Sequence, residues 1–173
     1  MKLVLLGYMG SGKSSVGKLL SEALQYKFTD LDHYIEMSEG MTISQLFKEK
    51  GEIYFRRNEA TAMTKIISEE KKIVIATGGG TPCYGTVMDD LLANDEVVTI
   101  YLKNSLETLT ERLFTEKSER PLITHLKTEV ELNDFIRKHL FERSYYYNRA
   151  SIVLACDGLS PETIVEQLVL KLF

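Results

Sequence analysis

Gly7-Tyr8-Met9-Gly10-Ser11-Gly12-Lys13-Ser14 sets glycines, a lysine and a hydroxyl at the spacing GxxxxGK[ST]. Residues of those types can cradle a polyphosphate. Glycines let the backbone curl until successive N–H groups point inward at phosphate oxygens, and the N-terminus of a following helix adds favourable dipole ends. A lysine supplies a cation for the β- and γ-phosphates, and a serine hydroxyl can ligate Mg²⁺. Chance produces this pattern in under roughly 1% of chains of this length, so an ordinary glycine-rich turn is the weaker explanation. The chain is expected to bind a nucleoside triphosphate through Gly10, Ser11, Gly12, Lys13, Ser14 and Ser15. Neither DxxG nor NKxD occurs, which excludes a GTPase switch, and the length suits a small-molecule kinase better than a motor ATPase.

Other segments offer groups for the molecule that would accept the phosphoryl group. Asp30-Leu31-Asp32 follows a candidate strand. In extended chain, residues two apart project to one face, so both carboxylates can reach one site. One could help hold hydrated Mg²⁺ while the other takes a hydroxyl proton; the alternative is a solvated turn with an Asp helix cap. Arg56 and Glu59 stand three apart on one helix face. They form either a surface ion pair or a guanidinium clamp for a carboxylate, held in orientation by Glu59. Gly78-Gly79-Gly80 removes every side chain after an apolar run, where one glycine would suffice for a turn, and so lets a ligand approach the backbone. Arg120-Pro121-Leu122 lies in an irregular polar stretch that fits a lid closing over phosphates, or a solvated loop with incidental charges. Arg143, ahead of Tyr145-Tyr146-Tyr147, reads equally as a second anion clamp or as a guanidinium packed on aromatic rings.

Elements able to position these groups follow from periodicity. Leu3 to Leu6, Lys27 to Asp30, Ile73 to Ala76, Val97 to Leu102 and Ile152 to Ala155 are strand candidates. Between them, Val16, Leu19, Leu20, Ala23 and Leu24 recur at helical spacing, as do Leu106, Leu109 and Leu113, and then Leu132, Phe135, Ile136 and Leu140. Thr42 and Gln45 have capping-box spacing ahead of Leu46 and Phe47, with Gly51 expected to end that helix and a longer one to carry Phe55, Ala62, Met63 and Ile66. Ser160-Pro161-Glu162 opens the final helix. Strands alternating with helices predict an α/β domain with a parallel sheet covered on both faces.

With 173 residues, 44% hydrophobic and 27% charged, the chain is expected to form a single globular domain over 1–173. Lys and Arg total 21 against 25 Asp and Glu, a net charge of −4, which disfavours a nucleic-acid partner. Cys83 and Cys156 form no metal or redox motif and are expected to pack as small apolar side chains. The opening run from Met1 to Gly7 is too short for a signal peptide or membrane span, and a soluble, cytoplasmic protein is expected.

Taken in order, GYMGSGKSS, FTDLDHYIE, GEIYFRRNE, GGG, ERPL and ERSYYY resemble the shikimate kinase family along nearly the whole chain. The resemblance implies a three-layer P-loop fold with five parallel strands in order 2-3-1-4-5, a shikimate-binding helical region at about 32–62 and a lid at about 114–128. It implies ATP-dependent phosphorylation of the 3-hydroxyl of shikimate, giving shikimate 3-phosphate and ADP, in the route to chorismate and the aromatic amino acids, with Mg²⁺ as cofactor. Lys13 and Ser14 match the phosphate lysine and the Mg²⁺ ligand, and Asp30 the carboxylate near the metal. Asp32 matches the proposed base, Arg56 and Arg143 the pair that holds the shikimate carboxylate, and Glu59 the support of Arg56. Gly78, Gly79 and Gly80 match the glycines beside the substrate, with Ile43, Phe47 and Phe55 walling its pocket. Arg120 matches the lid arginine, and Arg112 lies near the adenine-stacking position. A monomer is expected. Other P-loop kinases, such as a gluconate kinase, or a nucleotide-binding module without turnover are the alternatives. The chain departs from the family pattern at Thr81-Pro82 and at Tyr145, beside matched residues rather than among them.

Overall fold

The computed structural model describes residues 1–119 and 122–173. Five strands form one parallel sheet: β1 (Lys2–Leu6), β2 (Lys27–Asp30), β3 (Ile73–Ala76), β4 (Val97–Lys103) and β5 (Ile152–Ala155), in spatial order β2-β3-β1-β4-β5. This is the order that the family resemblance implies. Among the described residues seven α-helices accompany the sheet: α1 (Lys13–Leu24), α2 (Leu31–Glu39), α3 (Ile43–Glu69), α4 (Val87–Leu92), α5 (Leu106–Glu116), α6 (Glu129–Tyr147) and α7 (Pro161–Leu172).

Alternation along the strands divides the apolar side chains between two cores. Leu3 and Leu5 of β1, Val74 of β3 and Ile100 and Leu102 of β4 pack with Val16 and Leu20 of α1 and Leu168 of α7. Val4, Leu6, Ile73, Ile75 and Tyr101 face the opposite way, onto Ala62, Met63 and Ile66 of α3 and Leu132 and Ile136 of α6. A central sheet buried on both faces is therefore sandwiched between helical layers, and its β-branched strands need not alternate apolar with polar. Cys156 is fully buried and Cys83 half-buried, both as free thiols.

Register brings the chemistry-bearing loops together. Ala76 lies opposite both Leu5 and Asp30, so β1, β2 and β3 run out at the same edge. The P-loop, the Asp30–Asp32 segment and the triple glycine begin within a residue or two of those positions. This carboxyl edge, with the strand order reversing about β1, is where open α/β sheets present their ligand crevice.

Sequence and structure differ locally at one place that matters for that edge, and a second place bears out the expectation in a way that shapes the site. Asp30 is the last extended residue of β2, but Asp32 does not continue the strand. Asp30 is the N-cap of α2, its Oδ1 accepting from the Asp32 and His33 amides at 3.1 and 3.3 Å, and Asp32 stands in the first helical turn. The carboxylates converge through cap geometry rather than through strand alternation. Gly51, in turn, ends the first helical limb, as its position ahead of the longer limb predicts. The Thr42–Gln45 capping box opens α3 as its spacing predicts, at Gly51 the chain takes the non-helical φ 80°, ψ 169°, and a second, longer limb carries Phe55, Ala62, Met63 and Ile66 on to Glu69. That conformation is essentially closed to residues with a Cβ, and it kinks α3 between Ile43 and Phe47 on one side and Phe55, Arg56 and Glu59 on the other.

A Cβ on Gly51 would meet nothing within 4 Å, so Gly51→Ala isolates the backbone cost. The expected loss is about 1–3 kcal/mol in urea unfolding. A change below about 0.5 kcal/mol would show that the kink does not require glycine.

Candidate active site

The P-loop is built by β1 running straight into α1. Gly12 caps α1 with φ 89°, a left-handed conformation that turns the amides of the first helical turn toward the loop's concavity. Lys13 is buried, and its Nζ donates to the carbonyls of Gly7 and Tyr8, each at 2.8 Å. Ser14 Oγ donates to Asp30 Oδ2 at 2.7 Å, so the loop hydroxyl and the cap carboxylate sit together. Around them lies a cavity of about 270 Å³ lined by Gly10, Gly12, Lys13, Ser14, Ser15, Asp30, Thr77 and Glu116, with Met9, Asp32, Gly78 and Gly79 on its far wall.

Those last four residues are shared with a second cavity of about 330 Å³. Its other walls are Ile43, Phe47, Phe55, Arg56, Glu59, Gly80, Leu122, His139 and Arg143. Asp32, Arg56, Glu59, the three glycines, Arg143, Ile43, Phe47 and Phe55 thus come together from α2, both limbs of α3, the β3 edge and α6.

The triple glycine explains how so many charges fit. A Cβ on Gly78 would stand 3.1 Å from Asp32 Oδ1 and 3.3 Å from Glu59 Oε1. On Gly79 it would be 3.4 Å from an Arg143 nitrogen, and on Gly80 only 2.7 Å from Arg56 Nη2. Each glycine therefore makes room for a different charged side chain. Tyr147, fully buried, donates its hydroxyl proton to the Gly79 carbonyl and holds the strip in place.

Arg56 and Glu59 are not a surface pair. Glu59 is 2% exposed, accepting from Arg56 Nη1 at 2.8 Å through one oxygen and from Thr81 Oγ1 at 2.6 Å through the other. Tyr84 lies under the guanidinium at 4.0 Å, with the Phe55 ring at 5.0 Å. Arg143 combines both of its sequence readings, lining the cavity while lying over the Tyr8 ring at 5.6 Å. Burial, reinforced by Asp30 and Glu59, pushes the Asp32 carboxyl up to about 6, with Lys13 pulling the other way.

Some expected residues stand apart. Ser11 is buried behind the loop, its carbonyl accepting from Asn104 at 3.5 Å. Arg112 lines neither cavity, and its Nη1 donates to the Gly10 carbonyl at 3.1 Å and to Asn104 Oδ1 at 3.3 Å. Arg120 lies outside the described residues. Its neighbour Leu122 reaches the second cavity, and Ile123 is fully buried in the core. Sequence reasoning missed Met9, Leu122 and His139 as cavity walls, and Thr77 and Glu116 beside the phosphate loop. It noted Thr81 as a departure without seeing that its hydroxyl orients Glu59. His139, Arg143 and Tyr147 recur every four residues along α6, a spacing that would have pointed to His139.

A phosphate-binding loop opening through a shared wall into a pocket for a second molecule belongs, with this sheet order, to the P-loop kinases of small molecules. The family model described as shikimate kinase matches residues 9–173. A shikimate kinase from Flavobacterium psychrophilum is 42% identical over 167 residues, 96% of each chain. The solved shikimate kinase of Bacteroides thetaiotaomicron superposes with a TM-score of 0.91 at 35% identity, covering 99% of this chain and 98% of that one. Another, from Acinetobacter baumannii in complex with shikimate, gives 0.86 at 28% identity over 99% and 92%. The chain belongs to the shikimate kinase family and is an enzyme of that kind.

Gly80 has φ −88°, ψ −15°, which alanine adopts freely, so Gly80→Ala tests the close approach alone. The added methyl should displace the Arg56 guanidinium and raise the KM for the acceptor by about tenfold or more, with the KM for ATP little changed. Unchanged acceptor kinetics would show that the guanidinium does not need this space.

Proposed function

We propose that the protein transfers the γ-phosphoryl group of ATP to the 3-hydroxyl of shikimate, giving shikimate 3-phosphate and ADP. The observation that carries this reading is the second cavity, in which Arg56 and Arg143 face the same space as Asp32 across the glycine strip. Two guanidinium groups suit a carboxylate, and a carboxylate base suits a hydroxyl that must be aligned and deprotonated. The solved relative in complex with shikimate supports the choice of acceptor.

In this reading Gly10, Gly12, Ser14 and Ser15 surround the triphosphate, and Lys13 turns its ammonium from the loop carbonyls to the phosphates. Ser11 braces the loop from behind. Arg112 would hold the Gly10 end of the cradle on the nucleotide side, and Arg120 would close over the phosphates from a lid at about 114–128. Ile43, Phe47 and Phe55 form the apolar wall, in a helical region at about 32–62. Glu59 keeps Arg56 oriented. Asp32 aligns the acceptor hydroxyl and takes its proton, while Lys13 stabilises charge spreading over the transferring group. Most of the acceleration then comes from positioning and electrostatics.

The Ser14 hydroxyl and Asp30 carboxylate, 2.7 Å apart, are the hard oxygen donors that Mg²⁺ prefers. Among the described residues no group of three or more His, Cys, Asp or Glu side chains is placed to hold a metal ion, so these two would share the ion with phosphates and water. Bound there, Mg²⁺ would supply charge neutralisation on the triphosphate. We further propose a monomer working in the cytoplasm; no helix among the described residues is long and apolar enough to cross a membrane.

An ADP-release assay over shikimate, gluconate and AMP tests the acceptor. Turnover with shikimate at least about a hundredfold above the others is expected, since a site built around paired hydrogen bonds rejects molecules that leave them unmade. Preference for gluconate or AMP would overturn the assignment.

The raised Asp32 carboxyl gives a second test. Its proton must be off before it can accept another, so kcat/KM should fall about tenfold per pH unit below pH 6. Ionisation of a group whose folded pKa exceeds its unfolded one costs stability as pH rises through that range. Asp32→Asn should therefore lower kcat by orders of magnitude yet stabilise the ligand-free fold by about 2 kcal/mol at pH 8, the gain vanishing near pH 4. Full turnover, or a loss of stability at pH 8, would contradict the role.

A further inference from the structure

His139 lines the acceptor cavity beside Arg143 and Leu122, and nothing in the reaction described above uses it. Its ring is held on two sides. Phe135, one turn back on α6, meets it nearly edge-on with centroids 4.4 Å apart. On the other side its Nδ1 lies 2.9 Å from the hydroxyl of Tyr8, a residue of the phosphate-binding loop.

That hydrogen bond decides where the imidazole carries its proton. Tyr8 is 1% exposed, and burial pushes its phenol up to about 12, so the hydroxyl keeps its proton at any working pH. A buried O–H requires an acceptor. Among the described residues the hydrogen-bond partner of this one is His139 Nδ1. Were Nδ1 to carry the proton instead, two donors would face one another unless the phenol turned its own proton away into an apolar surrounding. The satisfied arrangement has Tyr8 donating to a bare Nδ1, with the ring proton on Nε2. Partial burial and the neighbouring Arg143 cation, aided by Lys138 and opposed by Glu142, hold the imidazole below its ordinary value and therefore neutral near pH 7.

We propose that His139 is a further acceptor-binding residue, presenting an Nε2–H donor to an oxygen of the bound hydroxy acid beside Arg143, and that Tyr8 is the positioning residue that fixes this tautomer. The inference rests on the acceptor occupying this cavity, as proposed above. It adds to the cavity a neutral donor that tolerates neither charge reversal nor the opposite tautomer. It also ties donor and acceptor sites together through one residue, because the Tyr8 carbonyl accepts from Lys13 while its phenol orients α6.

Steady-state kinetics on the full chain separates the possibilities. His139→Phe keeps the ring contact with Phe135 and removes the donor. It should raise the KM for shikimate by about tenfold, the worth of one buried hydrogen bond, with kcat falling far less and the KM for ATP unmoved. His139→Gln places an amide N–H near the position of Nε2 and should recover most of that loss. Nitrogen-15 NMR of the wild-type imidazole should find Nδ1 unprotonated and Nε2 protonated, with the Nδ1–H form appearing in Tyr8→Phe. An unchanged KM in His139→Phe, equal kinetics for the Phe and Gln variants, or an Nδ1–H wild-type ring would each overturn the proposal. Wild-type turnover of shikimate is the internal control: its absence would sink the acceptor assignment itself, whereas its presence beside a silent His139→Phe would sink this inference alone.

Discussion

Buried charges must be brought close to a reacting centre without touching one another's desolvated surroundings, and the Gly78–Gly80 strip makes that possible here. Asp32, Glu59, Arg143 and Arg56 approach this one backbone segment at distances that a row of Cβ atoms would contest. A side chain on Gly80 would displace the Arg56 guanidinium, and one on Gly78 would press on the Asp32 carboxylate. The strip in turn depends on where β3 stops. Ala76 pairs with Leu5 and Asp30, so the glycines emerge beside both the phosphate loop and the α2 cap. Thr77 anchors the exit by donating its hydroxyl to the Leu5 carbonyl at 2.8 Å.

This arrangement is not optimised for the stability of the empty protein. Asp32 is ionised at neutral pH only against burial and two neighbouring carboxylates. Arg56 Nε is buried without a hydrogen bond, the Glu52 carboxylate standing 3.7 Å away. Unmatched buried polar groups cost folding free energy, and they persist where a ligand supplies the missing partner. A carboxylate between the arginines and a hydroxyl against Asp32 would do so. The rest of the cluster is, by contrast, closed: Glu59 has both oxygens occupied by Arg56 and Thr81. On the proposed function, the site separates groups that are locked from groups that a substrate would engage, which is what pre-organisation requires.

Much of this was legible in the residues, for reasons that can be stated. The phosphate loop announces itself because its chemistry is local: glycines, lysine and serine act within eight consecutive positions. Strands Leu3 to Leu6 and Ile73 to Ala76 were readable because sheet burial demands apolar, β-branched runs. The strand order was not in the periodicity at all and came through the family resemblance. Asp30 and Asp32 were paired correctly for an incorrect reason, since an Asp at a strand end serves equally as a helix cap. Gly51 was legible as a stop because the left-handed φ that breaks the helix there asks for a residue without a Cβ. The roles of Thr81 and Tyr84 escaped notice because they lie in contacts with α3, some twenty to thirty residues earlier in the chain.

Tyr8 and His139 were the least readable of all, being 131 positions apart and individually unremarkable in type. Their pairing follows from topology. A loop at the end of β1, the central strand, is overlooked by α6, which crosses above the sheet edge between β4 and β5 in sequence. Because Met9, Asp32, Gly78 and Gly79 wall both cavities, neither can be reshaped without disturbing the other. Changes that tune the acceptor while sparing the phosphate loop must therefore fall on the outer walls. Those are the apolar residues on the two limbs of α3, the Thr81–Tyr84 turn behind Arg56, and the stripe of α6 that ends in Tyr147.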